Sequence, residues 1–153
     1  MITKILTAID DQEHSGRAVD AAIDIARATS SALVFFMANP AVMPGRGPLF
    51  YRYTKDYIGD YFEQARKRAR FGGVHDVKCV TENCIDITSS ILTEAEKEQA
   101  DYIVIGSDRK RGPLASWKYS ISQDVAVGAP CPTIIVHSEV KQRNLVSMLL
   151  AAE

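Results

Sequence analysis

The sequence contains few of the residues from which metal centres, disulfide frameworks and nucleophilic active sites are built. Three cysteines and three histidines are scattered through its 153 residues. An odd, dispersed set of cysteines does not form a disulfide framework, and no pair of histidines has the spacing of structural zinc ligands. The Gly-x-Ser-x-Gly motif of many serine hydrolases is also missing. We therefore predict neither a metal site nor a catalytic residue.

The chain also lacks an excess of charge of one sign and a long apolar run. It has 18 Lys and Arg against 19 Asp and Glu, a formal net charge of −1. Nucleic-acid binding usually requires a strongly basic domain, and crossing a bilayer requires about 18 or more apolar residues in succession. The first residues have no apolar core of the kind found in secretory signals. We expect a cytoplasmic protein that binds neither nucleic acid nor membranes.

Short apolar runs alternate with segments of helical periodicity along nearly the whole chain. Such alternation implies right-handed crossovers and a mostly parallel sheet with helices on both faces. We predict a single α/β domain over residues 1–140, a Rossmann-like sandwich with a five-stranded sheet, followed by a tail over residues 141–153. The predicted strands are 4–10, 32–38, 77–84, 102–106 and 133–137, and the predicted helices are 15–29, 51–71, 88–99 and 116–127.

Four other features have local interpretations. Ser15 is a candidate N-cap of the first helix. Residues 39–50 are rich in proline and glycine, which predicts an irregular loop that acts either as a lid or as an interaction arm. Apolar residues between 145 and 150 predict that the tail docks on the domain or on another subunit, or else frays. The aromatic residues around the start of the second helix favour a core or dimer face over a cofactor site; they are Phe50, Tyr51, Tyr53, Tyr57 and Tyr61.

Two loops are the best candidates for a ligand site. In doubly wound sheets, ligands bind beyond the carboxyl ends of the strands, where the strand order reverses. The loops after Asp10 and Gly106 are expected at such a position. Asp10 alone is also explained by a turn. The basic run at 108–111 is either a solvated loop or an anion site.

Sequence motifs in these loops resemble those of the universal stress protein (Usp) family. Residues 5–10 followed by 13–15 are similar to the opening I-L-V-A-x-D-x-S-E-x-S of that family. Residues 100–107, Ala-Asp-Tyr-Ile-Val-Ile-Gly-Ser, resemble its fourth strand. Residues 120–125 followed by 129–132, Ala-Pro-Cys-Pro, resemble its final helix and strand. The resemblance implies an adenine nucleotide alpha hydrolase-like fold and a homodimer formed through the last strand.

The family's ATP-binding members carry a Gly-x2-Gly-x9-Gly-Ser/Thr signature after the fourth strand, and this chain departs from it. Gly106 keeps the first position, where a close approach of backbone to phosphate excludes a side chain. Arg109 and Tyr119 replace the second and third glycines. Ser120 keeps the hydroxyl position, and Ser122 matches a further polar position. Arg109 could donate to phosphate as a planar guanidinium, or could pair with a nearby aspartate across an empty pocket.

At the nucleoside end of the site, the sequence matches the family's binding residues. Asp10 matches the acidic residue that contacts the nucleoside, and Ala38 falls near the position at the end of the second strand whose backbone faces adenine. Asp11 replaces the glycine that is common after this aspartate. The resemblance thus implies six binding residues, with ATP or ADP, and Mg²⁺, as candidate ligands: Asp10, Ala38, Gly106, Arg109, Ser120 and Ser122.

The function implied by the resemblance is that of a stress-response binding or signalling module that is not an enzyme. Loss of two motif glycines forfeits close approach to the phosphates, so we expect weak ATP binding or none. The alternative is an ATP-binding member with slow hydrolysis or with nucleotide-switch activity. Neither a His-x-Gly-His motif nor a Ser-Gly-Gly-x-Asp-Ser loop is present to support enzymatic chemistry. A homodimer is expected, and a protein partner is possible for a module of this kind.

Overall fold

The computed structural model describes residues 1–43, 45–107 and 121–137 of the chain. Strands and helices alternate through these residues, as the sequence predicts. No helix in the described segments is long and apolar enough to cross a membrane. The elements are β1 (Lys4–Ala8), α1 (Glu13–Thr29), β2 (Ala32–Val42), β3 (Phe50–Tyr51), α2 (Lys55–Phe71), β4 (Val77–Cys84), α3 (Ile87–Lys97), β5 (Tyr102–Ser107), α4 (Ile121–Gly128) and β6 (Thr133–His137).

Five of the strands form the parallel sheet that the alternation predicts. β1 pairs with β2 on one side and with β5 on the other, β4 pairs with β2, and β6 pairs with β5, all in parallel. The order across the sheet is therefore β4-β2-β1-β5-β6. The α/β fold with a mostly parallel sheet is confirmed. The polar strand β4 pairs with β2 and lies at one edge of the described sheet.

Side chains of alternate residues divide the core between the two faces of the sheet. One cluster, the α1/α2 face, joins Ile5, Phe35 and Met37 of the strands to α1 and α2. The other, the α3/α4 face, joins Leu6 and Phe36 to α3 and α4. Because β1 and β2 are covered on both sides, their sequences are apolar at consecutive positions rather than at alternate ones.

The segment 39–50 differs from its prediction. β2 does not end at residue 38 but runs to Val42, and β3 pairs antiparallel with its last two residues. Pro40 is tolerated inside β2 because it lies beyond the end of β1, so its missing N–H costs no hydrogen bond to that strand. The predicted irregular loop is thus wrong for residues 39–42 and for Phe50, which lie in β2 and β3. The end of β2 (residues 41–42) and β3 (residues 50–51) form a short two-stranded arm, the β2–β3 arm.

Two helices begin at other residues than predicted. α2 begins at Lys55, because the Thr54 hydroxyl accepts a hydrogen bond from the Tyr57 amide at 3.2 Å and caps the helix. α1 begins at Glu13, so Ser15 is not its N-cap. The predicted helix 116–127 is observed from Ile121 onward, and its earlier residues, like the tail 141–153, lie outside the described residues.

Glu98, just after α3, joins this helix to two strands. Its buried carboxylate accepts hydrogen bonds from Lys78 of β4 and, at 3.3 Å, from Lys4 of β1. The hydrogen bond from Lys78 is the main cause that holds the pKa of Glu98 below its usual value, although burial opposes it. The Glu98 contribution to stability is therefore complete above the pKa of the unfolded chain. It is lost as the pH falls through the lower pKa of the folded state.

We predict that Glu98→Gln lowers the free energy of unfolding by about 1–3 kcal/mol at neutral pH, because it weakens two charge-assisted hydrogen bonds. The difference from the unmodified protein should shrink as the pH falls below about 4. Urea denaturation at several pH values measures both effects. Glu96→Gln, at an exposed position one residue beyond Ala95, is the matched control. Equal effects of the two substitutions at every pH would contradict the role of Glu98.

Candidate functional site

The strand order reverses at β1. From β1 the chain continues to β2 and β4 on one side, and then crosses to β5 and β6 on the other. In a doubly wound sheet the crevice for a ligand opens at the carboxyl ends of the strands next to such a reversal. The candidate site is therefore bounded by the ends of β1, β2 and β5.

Four of the six residues predicted from the sequence lie in the described segments. Asp10 follows β1, Ala38 lies in β2 and Gly106 lies in β5. Ala8, the last residue of β1, pairs with Phe36 and Ile105, so Ala38 and Gly106 both lie beyond the end of β1, on opposite sides of it.

The predicted phosphate-binding residues are only partly described. Ser122 is buried in the first turn of α4. Arg109 and Ser120 lie outside the described residues, as does Tyr119. The nucleoside end of the predicted site is thus brought together around β1, whereas the phosphate loop is a prediction from the sequence.

The backbone of Ala38 faces the crevice. The carbonyl of Phe36 accepts a hydrogen bond from the amide of Ile9 at 2.9 Å and so faces β1. Backbone groups two residues apart on a strand point to the same side, so the N–H and C=O of Ala38 face the space beyond the end of β1. The small side chains of Ala8 and Ala38 lie together on the α3/α4 face. This arrangement offers one donor and one acceptor beside a shallow apolar surface, which suits the edge of a flat heterocycle.

Asp10 lies in a tight turn between β1 and α1. Its Oδ1 accepts a hydrogen bond from the Gln12 amide at 2.8 Å, and its own amide donates to the Ser15 Oγ at 2.9 Å. Ser15 therefore fixes the turn instead of capping α1. The turn role that the sequence left open for Asp10 is present. A carboxylate can accept more than one hydrogen bond, so this role is compatible with the ligand contact that the resemblance implies.

Asp11, next to Asp10, is held by residues that the sequence did not point to. Arg52 Nη2 lies 3.3 and 3.2 Å from the two carboxylate oxygens, and the Tyr53 hydroxyl donates to Oδ1 at 2.9 Å. The Gln12 side chain donates to the same oxygen at 3.0 Å. Burial alone raises the pKa of Asp11, but these donors together hold it below its usual value. Asp11 is therefore a paired, ionised carboxylate at neutral pH.

Asn39 attaches the segment that carries Arg52 and Tyr53 to the sheet. Its Oδ1 accepts from the Tyr53 amide at 2.8 Å, and its Nδ2 donates to the Tyr53 carbonyl and to Asn83 Oδ1, both at 3.0 Å. Asn39 itself is buried. Its side chain thus replaces a missing strand partner for Tyr53.

The aromatic residues Tyr53, Tyr57 and Tyr61 form a ladder beside the acidic pair. The rings of Tyr53 and Tyr57 stack with centroids 5.3 Å apart, and Tyr57 and Tyr61 are 6.4 Å apart. Tyr53 and Tyr61 pack against the α1/α2 face, in agreement with a core role. Burial, followed by the hydrogen bond to Asp11, raises the pKa of the Tyr53 hydroxyl above its usual value. Burial and the nearby Asp11 charge raise the pKa of Tyr57 in the same way.

Metal binding has no support in the described part of the chain. Residues 1–43, 45–107 and 121–137 contain no group of three or more His, Cys, Asp or Glu side chains that could hold a metal ion.

Comparison with known proteins gives one family and many similar folds. The model of the universal stress protein family matches residues 1–137. No curated protein matches the sequence. A universal stress protein in complex with cAMP is 21% identical, with a TM-score of 0.72 over 90% of this chain and 99% of its own.

Two further solved structures are similar to this chain in fold and low in sequence identity. UspA from Lactobacillus plantarum is 19% identical, with a TM-score of 0.67 over 88% of this chain and 97% of its own. The universal stress protein from Archaeoglobus fulgidus in complex with dAMP is 22% identical, with a TM-score of 0.58 over 89% of this chain and 99% of its own. At these identities the likeness shows the fold.

The hydrogen bonds of Asn39 lead to a prediction about stability. Asn39→Ala should lower the free energy of unfolding by about 2–3 kcal/mol, because both backbone groups of the half-buried Tyr53 lose their partner. Asn83→Ala, which removes a single exposed partner of Asn39, should cost about 1 kcal/mol or less. Chemical denaturation of the two variants compares these losses. A loss for Asn83→Ala as large as that for Asn39→Ala would show that the Tyr53 backbone does not depend on Asn39.

Proposed function

Because the chain belongs to the universal stress protein family, we propose that it is a non-catalytic binding or signalling module of the stress response. Its ligand is an adenine nucleotide bound at the ends of β1, β2 and β5, and its affinity for ATP is weak. The observation that carries this proposal is the convergence of Asp10, Ala38 and Gly106 beyond the end of β1.

The two ends of the proposed site differ in how well they fit a nucleotide. The nucleoside end retains a carboxylate, a backbone donor and acceptor, and small side chains. At the phosphate end, Arg109 and Tyr119 stand where close approach of the backbone favours glycine. A nucleoside monophosphate makes fewer demands on that loop than ATP does. The cAMP and dAMP complexes among the similar structures are consistent with such ligands.

The non-catalytic part of the proposal rests on the side chains at the site. Asp10 is the carboxylate nearest the proposed ligand, and its Oδ1 is engaged by the Gln12 amide. Asp11 is ion-paired with Arg52. A general base must reach the proton that it removes. Among the described residues, Asp11 is engaged by Arg52 and Tyr53, and Asp10 closes the turn while it keeps the capacity to accept one hydrogen bond from a ligand.

A second candidate function is an ATP-binding member with slow hydrolysis or a nucleotide switch. Two features favour it. The guanidinium of Arg109 can donate to a phosphate in bidentate fashion, and the hydroxyls of Ser120 and Ser122 are retained at the start of the last helix. The test below separates this candidate from the first.

The assembly and location of the protein are also part of the proposal. β6 pairs with β5 and forms one end of the described sheet. An edge strand of this kind presents unpaired backbone groups to which a second copy can add. We infer a cytoplasmic homodimer through β6, to be tested by light scattering of the unmodified chain and of an Ile135→Pro variant.

The test of the ligand starts with the protein purified without added nucleotide. Denaturation and chromatography identify any adenine nucleotide that it carries, and calorimetry then compares AMP, cAMP, ADP and Mg-ATP. We expect AMP or cAMP to bind more tightly than ATP. Restoring the motif with Arg109→Gly and Tyr119→Gly should raise ATP affinity by roughly tenfold, about 1.4 kcal/mol, and leave AMP affinity nearly unchanged.

Three results would decide between the candidates. Stoichiometric ATP in the purified protein would favour the ATP-binding alternative. Asp108, next to Arg109 in the sequence, is the candidate base for hydrolysis, so phosphate release that is abolished by Asp108→Ala would make the protein an enzyme. Binding of no nucleotide at all would contradict the adenine-nucleotide proposal.

A further inference from the structure

The acidic pair Asp10–Asp11 creates an electrostatic conflict at the proposed site. Two adjacent carboxylates lie at the end of β1, beside the nucleoside end of a proposed ligand whose phosphate carries negative charge. At an effective dielectric constant between that of protein and water, a like charge about 7 Å from the phosphate weakens binding by roughly fivefold. An unpaired Asp11 would therefore disfavour a phosphate-bearing ligand. The structure contains the groups that remove this conflict.

The opposing charge comes from Arg52, which the β2–β3 arm positions. The Arg52 amide donates to the Pro40 carbonyl at 3.0 Å. Pro40 is four residues beyond Phe36, so its carbonyl faces the same side of β2 as the Phe36 carbonyl, the side of β1. The Arg52 backbone is therefore held beyond the end of β1, on the same side as the backbone groups of Ala38.

The side chains of Arg52 and Tyr53 then act together on Asp11. The guanidinium contacts both carboxylate oxygens, and it lies over the Tyr53 ring at 5.4 Å from the centroid. The Tyr53 hydroxyl donates to Oδ1, and Asn39 fixes the backbone of Tyr53. The charge of Asp11 is thus compensated by Arg52, and its Oδ1 is held by the Tyr53 hydroxyl.

The contribution of the Arg52–Asp11 ion pair to the stability of the fold does not explain this arrangement. The side chain of Arg52 is 48% exposed and that of Asp11 is 31% exposed. An ion pair with this degree of exposure typically contributes little to the free energy of unfolding. The exposed ion pair Arg68–Asp20 between α2 and α1 is of the same kind, but it lies away from the end of β1.

We propose that Arg52 and Tyr53 are positioning residues that neutralise and orient Asp11, so that the site beside Asp10 accepts an anionic nucleotide. This inference rests on the proposed adenine-nucleotide function. It adds two residues that determine whether the site accepts a negatively charged ligand. Arg52 acts through the charge of Asp11, and Tyr53 through the direction of its carboxylate. Neither needs to touch the ligand.

The test compares a charged and an uncharged ligand of the same base. Calorimetry with AMP and with adenosine is performed on the unmodified chain, Arg52→Gln, and the double variant Asp11→Asn with Arg52→Gln. Arg52→Gln should weaken AMP binding by roughly fivefold and change adenosine binding by less than about twofold. The double variant, which removes both charges, should return AMP binding to near the original value.

Arg68→Gln is the matched control, because it breaks an exposed ion pair with Asp20 between α2 and α1, and it should leave both affinities unchanged. Tyr53→Phe keeps the ring and removes the hydroxyl, and it should weaken AMP binding more than adenosine binding.

The outcomes separate this inference from the proposed function. Equal losses of AMP and adenosine affinity in Arg52→Gln, or no recovery in the double variant, would show a merely structural role and overturn the inference. AMP binding that is indifferent to Arg52 would overturn the inference and leave the proposed function standing. Failure of the unmodified chain to bind either ligand would overturn both.

Discussion

The structure of the candidate site depends on the register between β1 and β2. The two strands pair up to Ala8 and Phe36, and β2 then continues past the end of β1 to Val42, where β3 pairs with its last two residues. This overhang exposes the backbone of Ala38 to the crevice and gives Pro40 a carbonyl with which to hold Arg52. A β2 that ended at residue 38, as predicted, would include Ala38 but would not position the Pro40 carbonyl to hold Arg52. The site therefore arises because β2 extends beyond the parallel strand β1. The positions of its side chains follow from this difference in length.

Charge is distributed unevenly around the overhang. Asp10 is directed by the turn that it closes, whereas Asp11 is directed by residues of a distant segment. Lys4, Lys78 and Glu98 show the same principle at the opposite end of the sheet, where a buried carboxylate is shared by two lysines. In both places a carboxylate that would be costly alone is stabilised by donors from two elements. The difference is that the Glu98 group is buried and the Asp11 group borders a crevice.

Much of the fold could be predicted because its determinants are local. The apolar runs of β1, β2 and β5 and the helical periodicity between them define the sheet, and the ends of the strands then locate Asp10 and Gly106. Asp11, Arg52 and Tyr53 could not be found in this way, because their contacts join residues 41 and 42 positions apart. The role of Asn39 could not be predicted because its neighbour Pro40 indicates, in a sequence, the end of a strand rather than its continuation.

The turn that joins β2 to β3 has a consequence for protein engineering. Its two ends are fixed by the β2–β3 pairing and by the Asn39 hydrogen bonds to Tyr53. Added length between fixed ends costs only a little loop entropy, so a fluorescent peptide or a small domain can be inserted there without disturbing the sheet. Because the same arm carries Arg52, such an insertion would place a reporter within a few residues of the group that compensates Asp11. The arm is thus a natural position at which to convert this chain into a sensor of its own ligand.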